Sequence, residues 1–147
     1  MRNLKLESAE FIHLIEETVK FCVRKKMKKV ALISTTGTRK TNVYQNVVKA
    51  LGIKLEIIQV EESNQGLVHD CIYDEEYGVK ANSACTEAVK NLLLSRIIPE
   101  LQAKGATAVI LGCTEFPTAF AEITRCPIET IDPMEIAAKA IISASKN

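Results

Sequence analysis

The sequence predicts an α/β fold: a four-stranded parallel sheet with helices on both faces. The first observation behind this prediction is that short β-branched segments alternate with longer amphipathic ones, as in consecutive strand-helix-strand units. The second is that the 147 residues fit one domain, because no Pro/Ser-rich linker or low-complexity stretch divides them. Sheets of this kind bind ligands outside the carboxyl ends of their strands.

Four short apolar segments, each bounded by turn-forming residues, are predicted as the strands. They cover residues 30–35, 55–60, 108–111 and 127–131. Two of them run directly into sequences that carry reactive or polar groups, STTGTRKT after the first strand and GCTEFP after the third. These two strand ends are the expected places for a functional site.

A helix is predicted between the first two strands, over the sequence RKTNVYQNVVKALG. Its apolar residues fall on one helical stripe: Val43, Val47, Val48 and Leu51. Gly52 stands where the C-terminal cap of this helix belongs. A longer helix is predicted over residues 83–104, ended by Gly105 and bent at Pro99. Four apolar residues lie near one of its faces: Ala88, Leu92, Ile97 and Leu101.

The last helix is predicted to begin with Asp132 as its N-cap, followed by Pro133 at the first helical position and Glu135 at the third. At the other end of the chain, residues 11–15 form either a fifth strand or the first turn of a helix that runs to Met27. The single domain is therefore divided into a crossing segment, a core, and a C-terminal strand and helix: residues 11–29, 30–126 and 127–145.

The composition is that of a globular protein, with 47% hydrophobic residues and 19 Lys and Arg against 18 Asp and Glu. This balance gives no sign of a nucleic-acid partner, and the basic run RKKMKK is interpreted as the polar end of a helix rather than a polyanion patch. No window is apolar enough for a membrane helix, and the N-terminus lacks the apolar core of a signal peptide. We therefore expect a cytoplasmic protein without a membrane partner.

The cysteines are odd in number and scattered, which favours reduced thiols over a disulfide framework. Four of them lie in or beside amphipathic elements and are predicted to pack as small apolar residues: Cys22, Cys71, Cys85 and Cys126. A zinc site at His69 and Cys71 with two other cysteines would lack any recognised ligand spacing. We therefore predict no metal.

The STTGTRKT sequence lacks the glycines of a nucleotide-binding P-loop, because Ser34 and Arg39 occupy their positions. A weaker hypothesis is that its hydroxyls and backbone N–H groups, at a helix N-terminus, hold one carboxylate or phosphate. These groups belong to Thr35, Thr36, Gly37 and Thr38. The alternative is that the same residues only cap the helix, and the sequence leaves both open.

Cys113 follows the third predicted strand, where a side chain projects into the crevice at the sheet edge and meets the dipole of the next helix. Both effects favour thiolate, so Cys113 is predicted to be a reactive thiol rather than a packed one. A cysteine hydrolase would also need a histidine base. Neither His13, in an apolar run, nor His69, predicted on a helix flank, has a sequence relation to Cys113 that suggests a dyad.

Taken together, these segments resemble the cofactor-independent aspartate/glutamate racemases. VILGCTEFP is similar to the second catalytic-cysteine motif of that family, and ALISTTGTRKTNVYQ to its second-domain Thr-Gly-Thr loop and following helix. IYDEEYGVKAN resembles its Ile-Tyr…Gly-Val-Lys-Ala segment, and IDPMEIAAKAI its closing helix. The similarity follows the family's order from Phe11 onward.

The resemblance implies racemisation of aspartate or glutamate by thiol and thiolate chemistry, without a metal or organic cofactor. It assigns Cys113 as a catalytic residue. It assigns the substrate-binding residues as Thr35, Thr36, Gly37, Thr38, Lys80, Thr114 and Glu115. Glu115 after Cys-Thr points to the aspartate-racemase branch, since glutamate racemases typically carry His there. Without the resemblance, Lys80 would be interpreted as a solvated loop lysine.

The resemblance covers only the second half of the family's two-domain chain, so the first catalytic Cys-Asn-Thr motif has no counterpart. Racemisation needs a proton acceptor and a proton donor on opposite faces of the α-carbon. We therefore expect a racemase that is incomplete as a lone half; the alternative is a non-catalytic carboxylate-binding domain or a fragment of a larger racemase. The surfaces that a first half would cover, residues 11–15 and the helix from Pro133, predict self-association as a homodimer.

Overall fold

A computed structural model describes residues 11–146, and its centre is a single parallel sheet. The four strands are β1 (Lys29–Ile33), β2 (Glu56–Ile58), β3 (Ala108–Leu111) and β4 (Glu129–Ile131), in the spatial order β2-β1-β3-β4. All three strand pairings are parallel. The predicted fold class and the four predicted strands are confirmed, with ends that shift by at most two residues and an unchanged β3.

Nine α-helices and one π-helical turn surround this sheet within the described residues. They are α1 (Leu14–Arg24), α2 (Thr36–Thr41), α3 (Val43–Ala50), α4 (Glu62–Tyr73), α5 (Val79–Asn82), α6 (Glu87–Leu92), the π turn Leu93–Ile97, α7 (Ile98–Ala103), α8 (Phe116–Ala121) and α9 (Pro133–Ala144). None of the helices in this part of the chain has the length and apolar character needed to cross a bilayer.

Side chains of β1 alternate between two hydrophobic cores, one on each face of the sheet, because successive strand residues point to opposite faces. Ala31 and Ile33 belong to the core that includes apolar residues of α4 to α8. Val30 and Leu32 belong to the core that includes residues of α1, α3 and α9. The four residues are 3% exposed or less, so the predicted covering of both faces is confirmed.

Residues 11–15 form no strand, so the alternative of a fifth strand is wrong; α1 begins at Leu14 and ends at Arg24, three residues before the predicted end at Met27. His13 is the N-cap of α1, and its Nδ1 accepts a hydrogen bond from the Glu16 N–H at 3.2 Å. The amphipathic face of α1 buries Val19 and Cys22. This face packs against α3 and α9, and its burial stabilises the helix.

The helix predicted after β1 is broken in two at Asn42, whose φ of 51° lies in the left-handed region. Asparagine tolerates this conformation better than most residues, so the chain turns there without a glycine. Gly52, with φ of 63°, ends α3 as predicted. Tyr44 and Val48 are the buried residues of α3, whereas Leu51 of the predicted stripe is exposed.

The helix predicted over residues 83–104 begins later, because Ser83 has a left-handed φ of 52° and ends α5. Thr86 is the N-cap, and its hydroxyl accepts from the Val89 N–H at 3.4 Å. The predicted disturbance at Pro99 takes the form of the π turn just before it, since proline removes one helical donor. Ile97 is buried as expected but Ala88 is exposed, and Val89 is buried in its place.

Helix α4, which the sequence analysis did not delimit, lacks a side-chain cap of its own at Glu61. A carboxylate from α7 replaces that cap: Glu100 accepts from the Glu61 N–H at 2.5 Å and from Asn64 Nδ2 at 2.6 Å. Burial alone would raise the pKa of Glu100, but these hydrogen bonds and that of Lys104 lower it below its ordinary value. The start of α4 is thus held by a residue far away in sequence.

The last helix begins as predicted, because Asp132 is the N-cap of α9 and accepts from the Met134 N–H at 2.9 Å. Pro133 occupies the first helical position, where its missing N–H costs no helical bond. The side chain of Asp132 is therefore hydrogen-bonded to the first turn of α9.

Gly112, directly after β3, lies against the end of β1, where its N–H donates to the Ile33 carbonyl. A Cβ atom at Gly112 would lie 2.8 Å from the Ile33 carbonyl oxygen and 2.8 Å from Leu32 Cδ1. We expect Gly112→Ala to lower the free energy of unfolding by about 1–3 kcal/mol through overpacking. Urea denaturation followed by circular dichroism measures the change.

Gly66 provides the matched control, because it lies within α4 and an added Cβ would meet no atom within 4 Å. Gly66→Ala is expected to raise the free energy of unfolding by about 0.5–1 kcal/mol, since alanine favours a helix over glycine. A neutral Gly112→Ala variant, or two variants that shift stability in the same direction, would contradict the close approach.

Candidate active site

The ends of β1 and β3 bring together the two sequences singled out for chemistry. Ile33 pairs with Leu111 in the parallel register, and the Gly112 N–H donates to the Ile33 carbonyl at 2.8 Å. The residues that follow β1, called here the 34–38 loop, therefore leave the sheet beside Cys113. This is the carboxyl edge of two central strands, the usual place of a ligand site in an open α/β sheet.

The thiol of Cys113 is paired with a carboxylate two residues further on. Its Sγ donates to Glu115 Oε2 at 2.8 Å, and the Thr114 hydroxyl donates to the same oxygen at 3.1 Å. The turn is closed by a hydrogen bond from the Phe116 N–H to the Cys113 carbonyl at 3.1 Å. Cys113 and Glu115 are both partly exposed, so the pair is reachable from solvent.

Cys113 also lines a cleft of ≈ 110 Å³ at the sheet edge. The cleft is bounded by Leu14, Tyr44, Leu111, Gly112, Cys113, Thr114, Asp132, Pro133 and Met134. A larger hollow of ≈ 650 Å³ lies between α1 and α9 and shares Asp132 with this cleft, but the thiol does not line it. Of the predicted site residues, only Cys113 and Thr114 line the smaller cleft; Glu115, Lys80 and residues 35–38 lie outside its lining.

The expectation that Cys113 is a reactive thiolate is wrong for this arrangement. Burial and the neighbouring Glu115 carboxylate raise the pKa of the Cys113 thiol to about 11, although backbone N–H groups act in the opposite direction. Helix α8 has only six residues, and its dipole does not outweigh a full negative charge at hydrogen-bond distance. At neutral pH Cys113 therefore carries its proton.

Glu115 is the charged member of the pair. The hydrogen bond from the Cys113 thiol, together with that from Thr114, holds the pKa of the Glu115 carboxyl below its ordinary value despite partial burial. The ammonium group of Lys80 also contributes to lowering it. The resting pair is therefore a neutral thiol hydrogen-bonded to a carboxylate.

Helix capping occupies most of the polar groups of the 34–38 loop. Thr35 is the N-cap of α2, and its Oγ1 accepts from the Thr38 N–H at 3.3 Å and donates to the Thr38 hydroxyl at 3.2 Å. The Thr36 N–H donates to His69 Nδ1 at 3.4 Å. The capping function is thus fulfilled, while Gly37 is exposed and Thr36 and Thr38 are half-buried.

Lys80 lies on the short helix α5 rather than in a loop, and its side chain is exposed. Its Nζ sits 5.0 Å from the centre of the Tyr73 ring. The positive charge of Lys80 contributes to lowering the pKa of Glu115, but within the described residues no hydrogen bond or ion pair joins Lys80 to Glu115 or Cys113.

Three residues of α4 that the sequence analysis did not assign to the site brace the 34–38 loop and Lys80. Gln65 is buried and its Nε2 donates to the Ser34 carbonyl at 2.9 Å. His69 accepts from the Thr36 N–H, and its ring stacks on Tyr73 with centroids 4.7 Å apart. The three residues are spaced four apart, so a helix places them on one face. This spacing was the sequence signal that could have indicated their shared role.

The remaining cysteines are mostly structural. Cys22, Cys71 and Cys85 are buried as predicted, and burial raises the pKa of the Cys22 thiol to about 11 and that of Cys71 to about 12. Cys126 is only partly buried. Within residues 11–146, no three His, Cys, Asp or Glu side chains lie close enough together to hold a metal ion.

The sequence matches the family described as Asp/Glu/hydantoin racemase over residues 8–141. A relative at the sequence level is an uncharacterized protein in the pnlA 3′ region of Pectobacterium carotovorum subsp. carotovorum. It is 27% identical over 128 residues, which cover 86% of this chain and 79% of that protein.

Several solved structures share the fold. A candidate Asp/Glu racemase from Yersinia pestis superposes with a TM-score of 0.76 at 22% identity, covering 92% of this chain and 56% of that one. An aspartate racemase homologue from Pyrococcus horikoshii OT3 superposes with a TM-score of 0.72 at 23% identity, covering 94% of this chain and 57% of that one. Aspartate racemase from Picrophilus torridus superposes with a TM-score of 0.68 at 23% identity, covering 94% of this chain and 54% of that one. The chain spans a little over half the length of these structures.

The Cys113–Glu115 pair predicts the reactivity of a single variant. Glu115→Gln removes the negative charge that raises the pKa of Cys113, so this pKa should fall. Each unit of decrease multiplies the thiolate fraction about tenfold and, after the loss of nucleophilicity, the alkylation rate about threefold. Iodoacetamide labelling at mildly alkaline pH, resolved by mass spectrometry, measures the rate.

The half-buried Cys126 serves as the internal standard in each sample. Glu122→Gln is the matched control, because that carboxylate accepts from the Cys85 N–H and not from Cys113. The control should leave the rate at Cys113 unchanged. A rate at Cys113 that stays constant or falls in Glu115→Gln would show that the carboxylate does not restrain the thiol.

Proposed function

Because the chain belongs to the Asp/Glu/hydantoin racemase family, we propose that it acts on the α-carbon of an acidic amino acid, aspartate or glutamate. The observation that carries this proposal is the Cys113 thiol, which lines a cleft at the carboxyl edge of the sheet and is held by Glu115. The proposed chemistry is proton transfer at sulfur, with no metal or organic cofactor.

In the proposed mechanism Cys113 is the proton donor of the resting site, because its pKa of about 11 keeps it protonated at neutral pH. The S–H bond breaks as a new Cα–H bond forms on the substrate carbanion, and sulfur keeps the electron pair as thiolate. In the reverse direction this thiolate removes the α-proton of the enantiomer that faces it. A complete racemisation needs a second acid/base group on the opposite face of the α-carbon.

The substrate carboxylates are assigned to the groups that the resemblance implies. Lys80 supplies the positive charge, and the hydroxyl of Thr114 lies next to the reacting sulfur. The 34–38 loop supplies the polar groups of Thr35, Thr36, Gly37 and Thr38. Glu115 completes the set by orienting the thiol and facing the substrate ammonium group. Since the N–H groups of Thr36 and Thr38 and the hydroxyl of Thr35 are already hydrogen-bonded, the hydroxyls of Thr36 and Thr38 and the backbone of Gly37 are the proposed contacts.

A second candidate function is a non-catalytic carboxylate-binding domain, either alone or as a fragment of a larger racemase. One feature favours it: the pKa of about 11 at the Cys113 thiol opposes thiolate formation. In this case Lys80 and the 34–38 loop would bind an acidic amino acid without turnover.

Hydrogen exchange in deuterated water separates these functions. A site with one working thiol should exchange the α-proton of one aspartate enantiomer with retention of configuration, while a two-sided site should exchange and racemise. Proton NMR follows the loss of the α-proton, and chiral chromatography follows the configuration. Cys113→Ser should slow the exchange by about 10²-fold or more.

Cys126→Ser is the control, because Cys126 is also half-buried and is not part of the cleft. It should exchange like the unaltered protein. Absence of exchange with either aspartate or glutamate, at high concentration of the folded protein, would refute catalysis by this chain alone and leave the binding function.

We also propose that the chain forms a two-fold dimer through α9 and Phe11. Four large apolar side chains are strongly exposed there: Phe11 (84%), Met134 (53%), Ile141 (56%) and Ile142 (55%). Met134 and Ile141 are seven residues apart and so lie on one face of α9. Exposed apolar patches are typical of interaction surfaces. A second copy that covers Met134, which lines the Cys113 cleft, would bring a second set of acid/base groups toward the first.

Sedimentation velocity tests this assembly. The unaltered chain should sediment as a dimer at about 100 μM, a concentration above the dissociation constants of ordinary transient complexes. The double variant Ile141→Glu with Ile142→Glu should be monomeric, because it places charges on the exposed face of α9. Leu51→Glu, at the exposed apolar residue that follows α3, is the control and should remain dimeric. A monomeric unaltered chain would refute the dimer.

A further inference from the structure

One face of α4 joins the two groups proposed to bind the substrate carboxylates. His69 and Tyr73 lie one helical turn apart, so their rings share this face and stack at an interplanar angle of 29°. His69 contacts the 34–38 loop at one end of the stack, and Lys80 contacts Tyr73 at the other. The loop and the lysine are therefore linked through two side chains of a single helix.

The contact at His69 joins α4 to the start of α2. Its Nδ1 accepts the Thr36 N–H at 3.4 Å. This N–H belongs to the first turn of α2, where backbone donors lack helical partners. His69 thus fixes the position of Thr36 relative to α4.

The contact at Tyr73 restrains a side chain that would otherwise sample many rotamers. The Lys80 ammonium lies 5.0 Å from the ring centre, within the range of a cation–π interaction. The turn between the two residues is itself fixed, because Asp74 Oδ1 accepts from the N–H groups of Glu76 at 2.8 Å and Tyr77 at 3.0 Å. At Gly78 an added Cβ would lie 2.5 Å from the Asp74 carbonyl oxygen.

We propose that His69 and Tyr73 are positioning residues that hold the 34–38 loop and Lys80 at a fixed separation for an acidic amino acid. The inference rests on the proposed function, because it takes Thr36 and Lys80 as parts of the substrate site. An amino acid with two carboxylates needs two polar binding groups at a fixed distance from each other. One face of α4 fixes this distance between the 34–38 loop and Lys80. Neither ring takes part in the proton transfer.

Two pairs of variants test each contact separately. Tyr73→Phe keeps the aromatic face for Lys80, and Tyr73→Leu removes it. His69→Asn keeps an acceptor near the position of Nδ1, whereas His69→Phe keeps the stacked ring and loses the acceptor. The first readout needs no ligand: NMR of the full chain follows the ring-current shift of the Lys80 side-chain protons and the shift of the Thr36 amide proton.

The Lys80 protons should be shifted upfield in the unaltered protein and in Tyr73→Phe, and should return to ordinary values in Tyr73→Leu. The Thr36 amide proton should keep its hydrogen-bonded shift in His69→Asn and lose it in His69→Phe. In titrations with L-aspartate, Tyr73→Leu and His69→Phe should bind about two- to fivefold more weakly. The affinities of Tyr73→Phe and His69→Asn for L-aspartate should stay within about twofold of that of the unaltered protein.

Equal Lys80 shifts in Tyr73→Leu and the unaltered protein would overturn the proposal, as would equal aspartate affinities in all four variants. A protein that binds no acidic amino acid, while Lys80 and Thr36 respond as expected, would refute the proposed function and the substrate role of the stack. The ligand-free spectra distinguish that outcome from a stack that does not form.

Discussion

The close approach of β1 and β3 at their carboxyl ends is the constraint on which the site depends. Gly112 makes it possible, because a side chain there would meet the Ile33 carbonyl and Leu32. With the strands this close, the 34–38 loop and Cys113 leave the sheet side by side, although about 75 residues separate them in sequence. The parallel pairing of β1 and β3 places the 34–38 loop beside Cys113, and the contacts of Gln65 and His69 then hold the loop in that position.

Placement and electrostatics favour different functions at Cys113. The side chain lies where a catalytic residue is expected, at the edge of the central strands, yet a carboxylate at 2.8 Å stabilises the protonated thiol. A substrate changes this balance, because its ammonium group would compensate the charge of Glu115 and its displacement of water would alter the solvation of both groups. Under the proposed function, Cys113 would therefore become basic only when the substrate is bound.

Much of the fold follows from local pattern, and the differences have local causes. The four strands, the Gly52 cap and the Asp132 cap could be predicted because each depends on residues adjacent in sequence. The breaks at Asn42 and Ser83 were not predicted, because neither position carries the glycine or proline that usually marks the end of a helix in the sequence. The raised pKa of Cys113 depends on where the Glu115 side chain points, and the His69–Tyr73 stack on where α4 docks.

The capping of α4 by Glu100 has a consequence for the order in which the chain folds. On its own, α4 lacks a side-chain cap and carries Gly66 in its interior, so it is a weak helix. Its start becomes stable only when α7 delivers the Glu100 carboxylate from 39 residues further along. We therefore expect α4 to consolidate after the folding transition state, with φ-values near zero, and the neighbourhood of Lys80 to be among the last parts of the molecule to acquire its native form.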